Sequence, residues 1–191
     1  MAGITKTHIQ LGDSATATNN FMLTSQTADG TMKLARGNNG ATTQDILTVN
    51  ADGGIKGIQP AFSAYQSTVQ SLAQNANTKL QFQTKEFDTA TAFDATTNFR
   101  FTPAVAGYYQ VSGSFAVATT QSQMYIYIYK NGVQFKSGGG NNGGEANISA
   151  LIFLNGSTDY IELWCYQGAA AQNTVANAFL TYFQAILLRA A

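Results

Sequence analysis

Short runs of alternating apolar and polar residues, separated by turn residues, dominate the sequence after Pro60. From Met124 to Tyr129 the even positions are Met or Ile and the odd positions are all Tyr. A period of two places alternate side chains on opposite faces of a β-strand. Apart from 67–76, which could form one or two helical turns, no stretch has a helical pattern of any length. Many short strands without long helices predict an all-β sandwich or barrel.

Turn signals such as Asn131-Gly132 divide this part of the chain into predicted strands. The predicted strands are 62–67, 79–88, 98–102, 108–118, 124–130, 133–136, 147–154, 159–167 and 178–188. The glycine-rich segment 138–144 is predicted to be a flexible loop.

The first 59 residues have a different composition, rich in Thr, Asn, Ala, Asp and Gly. Their apolar residues form short groups at 21–23, 32–34 and 46–49, which predict about three short strands and little independent core. Such a segment is expected to order against symmetry mates or a larger assembly. The sequence therefore predicts an N-terminal assembly segment, 1–59, and a head domain, 60–191.

Charge and cysteine content exclude several classes of function. The chain has 191 residues, and its 10 Lys+Arg balance its 10 Asp+Glu. Phosphate binding needs clustered basic residues, which are absent, so no nucleic-acid partner is expected. No apolar run approaches the ~20 residues of a membrane span, and no signal peptide is expected at the start. The single cysteine, Cys165, fits synthesis in a reducing cytoplasm.

The sequence predicts no catalytic, cofactor or metal site. His8 is the only histidine, and no nucleophile motif accompanies it. A zinc site needs several His or Cys, whereas the chain has one of each. Acidic residues are scattered, so a hydrolase acting on cell-surface glycan is the weakest of the three functions considered. The protein is predicted not to be an enzyme.

Two predicted strands suggest contact with another subunit. Both faces of 178–188 are largely apolar, so a second subunit, or alternatively the N-terminal segment, should cover the face that the sandwich leaves free. The tyrosine row in 124–130 fits a subunit interface, a ligand platform or a half-exposed face rich in a good strand former. The predicted trimer-interface residues are Tyr125, Tyr127, Tyr129, Phe179, Tyr182, Phe183 and Ile186.

The head domain contains an ordered series of short motifs: Phe62-Ser-Ala-Tyr65, Phe99-Arg-Phe-Thr-Pro103 with Gly107-Tyr-Tyr-Gln-Val111, Lys130-Asn-Gly132, 154–163 and Phe183-Gln-Ala-Ile-Leu187. Together these motifs resemble the jelly-roll superfamily of the tumour necrosis factors (TNF) and the globular heads of complement component one-q. The resemblance implies an all-β, TNF-like jelly-roll β-sandwich that forms a homotrimer, with the last strand near the threefold axis. It also implies partner binding rather than catalysis. The chain has no Gly-X-Y stalk and no clear cluster of calcium ligands, so calcium sites of the family are not carried over.

The N-terminal motifs at 20–25, 29–37 and 45–53 resemble N-terminal segments of tail-fibre and other surface proteins of bacteriophages. This resemblance implies a short, strand-rich anchor that binds other virion proteins through 1–59. The chain is therefore predicted to be a trimeric fibre or knob of the virion, made in the bacterial host cytoplasm, tail-associated and used in host attachment. The alternative is capsid decoration, as a cement or head-fibre protein that stabilises the shell.

Any host-surface glycan or protein is expected to meet the loops at the exposed end of the knob. The candidate ligand loop contains Asn141, Asn142 and Glu145, which offer amide, carboxylate and backbone hydrogen-bonding groups. The alternative is that this glycine-rich loop is only a soft connection between two strands.

Overall fold

The chain divides into two compact units, Met1–Ile58 and Gln59–Ala191. This division lies next to the boundary expected from composition. The computed structural model describes residues 8–12, 14–16, 20–25, 30–38, 41–57, 59–119, 123–140 and 144–191. Among these residues, no helix is long and apolar enough to cross a membrane.

The first unit contains a five-stranded antiparallel sheet in the order β1-β2-β3-β4-β5. Its strands are β1 (His8–Leu11), β2 (Phe21–Ser25), β3 (Met32–Asn38), β4 (Ala41–Val49) and β5 (Ile55–Gly57). About three strands were predicted here. β1 and β5 were missed because strands of four and three residues are too short to show a period.

The second unit is built from many short and several long strands. They are β6 (Ala61–Tyr65), β7 (Ser71–Leu72), β8 (Thr78–Lys79), β9 (Thr84–Asp88), β10 (Phe93–Asp94), β11 (Arg100–Phe101), β12 (Ala106–Ala116), β13 (Met124–Lys130), β14 (Val133–Gly140), β15 (Glu145–Asn155), β16 (Ile161–Gln167), β17 (Gln172–Asn173) and β18 (Tyr182–Ala190).

Two antiparallel sheets dominate the second unit, and β7 pairs separately with β17. The first has the order β15-β12-β18-β6-β9 and is called the β18 sheet. The second has the order β10-β11-β16-β13-β14, with β8 added beside β16, and is called the β13 sheet.

The inward faces of these two sheets share one hydrophobic core. Phe62 of the β18 sheet stacks on Phe101 of the β13 sheet with ring centroids 4.6 Å apart. Phe183 meets Phe62 edge-on at 5.0 Å. Because the inward faces of the two sheets pack against each other, their outward faces point in opposite directions.

Most predicted strands hold in position to within a few residues, but three segments depart from the prediction. Segment 79–88 is interrupted after Lys79, and segment 67–76 contains the short strand β7 rather than helical turns. Segment 178–181 is a turn, so the last strand begins only at Tyr182. Apolar content extended that prediction too far because the turn itself contains Phe179 and Leu180.

The predicted flexible loop at 138–144 was also wrong in its first half, because Gly138, Gly139 and Gly140 form the end of β14. A Cβ atom at Gly140 would overlap the carbonyl oxygen of Glu145 and lie 2.8 Å from its carbonyl carbon. A Cβ at Gly138 would lie 2.9 Å from the Cβ of Ile148, whereas one at Gly139 would meet nothing within 4 Å. Two of these glycines therefore allow β14 to approach β15 closely.

Candidate binding surfaces

Near one end, the outward face of the β18 sheet carries five exposed apolar side chains on three neighbouring strands. Tyr108 lies opposite Phe153 across the β12–β15 pair, and their rings are 5.5 Å apart. Gln110 lies between Leu151 on one side and Ile186 on the other. The group, called the apolar patch, consists of Tyr108 (44% exposed), Leu151 (55%), Phe153 (42%), Ile186 (45%) and Leu188 (57%).

Polar side chains follow the apolar patch along β12, β15 and β18 on the same face. Gln184 Nε2 donates a hydrogen bond to Ser112 Oγ at 3.0 Å across the β12–β18 pair. Gln110 Nε2 donates to Ser149 Oγ at 2.7 Å across the β12–β15 pair. The last strand is thus apolar outward only at its C-terminal end, and not along its whole length as the sequence suggested.

Two of the predicted interface residues on this part of the chain lie elsewhere. Phe183 points inward, is fully buried in the core of its own chain and contacts Phe62, Phe82 and Phe93, so it cannot meet a second subunit. Phe179 lies in the turn before β18 and is 76% exposed, and its contact with another subunit remains a prediction. Tyr182 and Ile186 do lie on the outward face, where contact with another subunit remains a prediction.

The tyrosine row lies on the outward face of the other sheet. Tyr125, Tyr127 and Tyr129 alternate with the buried side chains of Met124, Ile126 and Ile128 along β13. The structure therefore does not bring the tyrosine row together with Ile186, because the two groups lie on opposite sides of the sandwich. The alternation of apolar and polar residues along a strand shows that the strand has two different faces. It does not show to which sheet the strand belongs.

Two further aromatic residues extend the tyrosine row sideways. In the β13–β16 pair, Tyr125 lies opposite Tyr166 and Tyr127 opposite Trp164. The Tyr129 and Trp164 rings stack with centroids 4.7 Å apart and planes 20° apart. The Tyr125 and Tyr127 rings are 6.3 Å apart with planes within 18°. These five residues, Tyr125, Tyr127, Tyr129, Trp164 and Tyr166, are called the aromatic platform.

Polar groups fix one side of the aromatic platform. Trp164 Nε1 donates to Glu162 Oε2 at 3.0 Å, and Lys79 Nζ pairs with Glu162 Oε1 at 3.1 Å. Asn77 Nδ2 donates to the Tyr129 hydroxyl at 3.2 Å, and the Tyr166 hydroxyl donates to Asn75 Oδ1 at 3.1 Å. The Lys79–Glu162 charge pair is thus neutralised within the chain.

The first unit has its own apolar face. Cross-strand register places Leu23 opposite Leu34, Leu34 opposite Leu47, and Val49 between Met32 and Ile55. The exposed members are Phe21 (40%), Leu23 (37%), Met32 (44%) and Ile55 (72%). Met22 and Ala35 on the opposite face are fully buried. The face that carries the exposed apolar side chains is called the N-terminal apolar face.

The predicted ligand loop lies partly outside the described residues, since Asn141 and Asn142 are not among them. Glu145 is exposed at the start of β15. Among the described residues, no group of three or more His, Cys, Asp or Glu is placed to hold a metal ion. The thiol of Cys165 is buried, and burial raises its pKa to about 12.

The order of strands in the two sheets, packed around one aromatic core, defines an all-β, TNF-like jelly roll. No family model and no curated protein sequence matches the chain. In structure the chain is similar to murine APRIL, with a TM-score of 0.55, 10% identity, and coverage of 68% of this chain and 99% of that one.

Two other solved structures have similar scores. The globular domain of zebrafish complement 1qA protein has a TM-score of 0.52 and 17% identity, covering 70% of this chain and 99% of that one. The PRD1 vertex protein P5 has a TM-score of 0.54 and 16% identity, covering 70% of this chain and 100% of that one. At these identities the similarities establish the fold alone.

Proposed function

We propose that this chain is a non-enzymatic structural protein of the bacteriophage virion, a homotrimeric knob on the particle surface used in host attachment. The observation that carries the proposal is the apolar patch, which a single chain leaves exposed on an otherwise complete jelly roll. The similarity to a phage vertex protein supports a place on the virion surface.

Trimer formation would bury the apolar patch. Its five side chains are each 42–57% exposed, and they lie on three neighbouring strands, with Gln110 between Leu151 and Ile186 and Arg189 opposite Tyr108. Monomeric proteins rarely expose such a group unless it binds something, and permanent homo-oligomer interfaces are typically apolar. Closed rotational symmetry lets each copy cover the next without leaving an open end.

Light scattering on the purified chain tests the trimer. We expect the mass of three chains for the wild type and a smaller mass for Ile186→Asp, because a carboxylate would be buried unpaired in the interface. Val133→Asp is the matched control, since Val133 is 69% exposed on β14, in the other sheet. A wild type with the mass of one chain at micromolar concentration would refute the proposal.

The N-terminal apolar face supports an anchoring role for the first unit. A sheet with one open apolar face needs a covering layer, and another virion protein can supply it. Leu23→Lys should therefore release the protein from particles without changing its trimeric mass, whereas Lys56→Ala should leave it bound. Lys56 lies next to Ile55 on β5 and is also exposed, but the alternation of the strand directs it to the other face.

A second candidate function is capsid decoration, in which the chain stabilises the shell. The similarity to a vertex protein favours this candidate, whereas the resemblance of 1–59 to tail-fibre segments favours the tail. Electron microscopy of intact particles carrying a labelled copy separates the two locations. Label at the tail supports host attachment, and label on the shell supports decoration.

A further inference from the structure

The aromatic platform is concentrated where a solvent-facing sheet would ordinarily carry Thr, Lys or Glu. It contains four of the 9 tyrosines and the single tryptophan of the chain. All five side chains are only partly buried, and Tyr125 is 41% exposed. Packing inside this chain does not account for them, because the core lies on the other face of β13 and β16.

The residues that flank the tyrosine row are large on one side and small on the other. On the side of β16 the row is continued by Tyr166 and Trp164. On the side of β14, Tyr125 lies opposite Gly139 and Tyr127 opposite Ser137. Both of these small residues are exposed, and the space above Gly139 is empty to at least 4 Å. The tyrosine row therefore projects beside a lower step formed by Ser137 and Gly139 of β14, the edge strand of this sheet.

The hydroxyl groups of the four platform tyrosines differ in their partners. Those of Tyr129 and Tyr166 are bonded to Asn77 and Asn75. Those of Tyr125 and Tyr127 make no hydrogen bond within the described part of the chain, which leaves them available to a ligand. Burial, together with the neighbouring tyrosines, raises the pKa of Tyr127, so its hydroxyl stays protonated and can donate.

We infer that the aromatic platform is a binding site for a neutral glycan. Aromatic rings have electron-rich faces that attract the C–H groups of a sugar ring, and phenol hydroxyls bond to its hydroxyls. The charged pair beside the platform is internally neutralised at 3.1 Å, which favours an uncharged ligand over an anionic one. The platform also faces away from the apolar patch, so a trimer whose three apolar patches meet at the threefold axis would leave it open. This inference rests on the proposed role in host attachment.

The test uses the full chain and an array of neutral and anionic bacterial surface polysaccharides. The emission of Trp164, the only tryptophan, reports binding directly at the platform. We expect at least one neutral polysaccharide to shift this emission. Tyr127→Ala should weaken that binding about tenfold or more, because it removes a ring contact. The affinity of Tyr127→Phe should lie between those of the wild type and Tyr127→Ala, because this variant removes the hydroxyl but keeps the ring.

Phe87→Ala is the matched control, because Phe87 is 52% exposed on β9, at the edge of the other sheet. This variant should bind like the wild type. Absence of binding to every neutral glycan, binding to anionic glycans alone, or unchanged binding by Tyr127→Ala overturns the inference. Light scattering on the same samples separates the two proposals. A trimer that binds no neutral glycan refutes the site alone, whereas a monomer that binds one refutes the trimer alone.

Discussion

The glycines at the end of β14 should respond to alanine in opposite directions. At Gly140 a methyl group would overlap the carbonyl oxygen of Glu145 and lie 3.0 Å from the Cα of Ala146. Both groups are backbone, so relief requires β15 to move rather than a side chain to rotate. At Gly139 the methyl group would enter open space.

The size of the effect follows from this geometry. Inserting a methyl group into a well-packed contact costs about 1–3 kcal/mol. At this chain size each kcal/mol lowers Tm by roughly 2–4 °C, so Gly140→Ala should lower Tm by about 2–12 °C. Gly139→Ala should instead leave Tm unchanged or raise it slightly, because alanine reduces the conformational entropy of the unfolded chain.

Differential scanning calorimetry at one protomer concentration measures both variants, since Tm of an oligomer depends on concentration. Gly138→Ala provides a second test, because its methyl group would lie 2.9 Å from the Cβ of Ile148. Equal Tm values for Gly139→Ala and Gly140→Ala would show that β14 does not approach β15 as described. The glycine run would then be a simple flexible connection.

Three further predictions concern the core and the titrating groups. Phe183→Ala should lower the free energy of unfolding by about 3–5 kcal/mol in urea titration, because Phe183 is fully buried against Phe62; an unchanged urea midpoint would contradict this. Hydrogen bonding from Lys130 lowers the pKa of Asp159, so its stabilisation is complete above about pH 4 and is lost as the pH falls towards the folded-state pKa. Between pH 5 and pH 3 (roughly the range of carboxylate titration), the free energy of unfolding of Asp159→Asn should therefore fall by less than that of the wild type. Equal decreases in the two proteins would contradict this prediction. Cys165 should react with a thiol reagent at about pH 8 only after unfolding, because burial raises its pKa to about 12.

The sequence predicts the strands of the head well because its signals are local. The period of two in β13 gave both the strand bounds and the buried face, as the structure shows. The Asn131-Gly132 hairpin also lies where predicted, with both residues at positive φ. By contrast, glycine content at 138–140 was interpreted as flexibility, because only the three-dimensional structure shows that β15 passes close by.

Strand pairing could not be predicted from the sequence, and the choice of interface residues depended on that pairing. Tyr127 and Trp164 are far apart along the chain and meet only through the β13–β16 register. Phe183 and Ile186 are close in sequence, yet one is in the core and the other on the outward face. A strand with apolar residues on both faces indicates that both faces are covered, but it does not show which residues face the core and which face outward.

The low charge of the chain has a consequence for the outward face of the β18 sheet. In the proposed trimer the apolar patch loses water at little cost, whereas polar groups beside it would be penalised unless they were already bonded. Gln184 and Gln110 already donate to Ser112 and Ser149 within a single chain. When such a face is buried, one hydrogen bond of each amide is therefore already made within the chain. The charge content of 10%, which in the sequence argued mainly against a nucleic-acid partner, therefore also suits a sheet face that is to be covered by another copy.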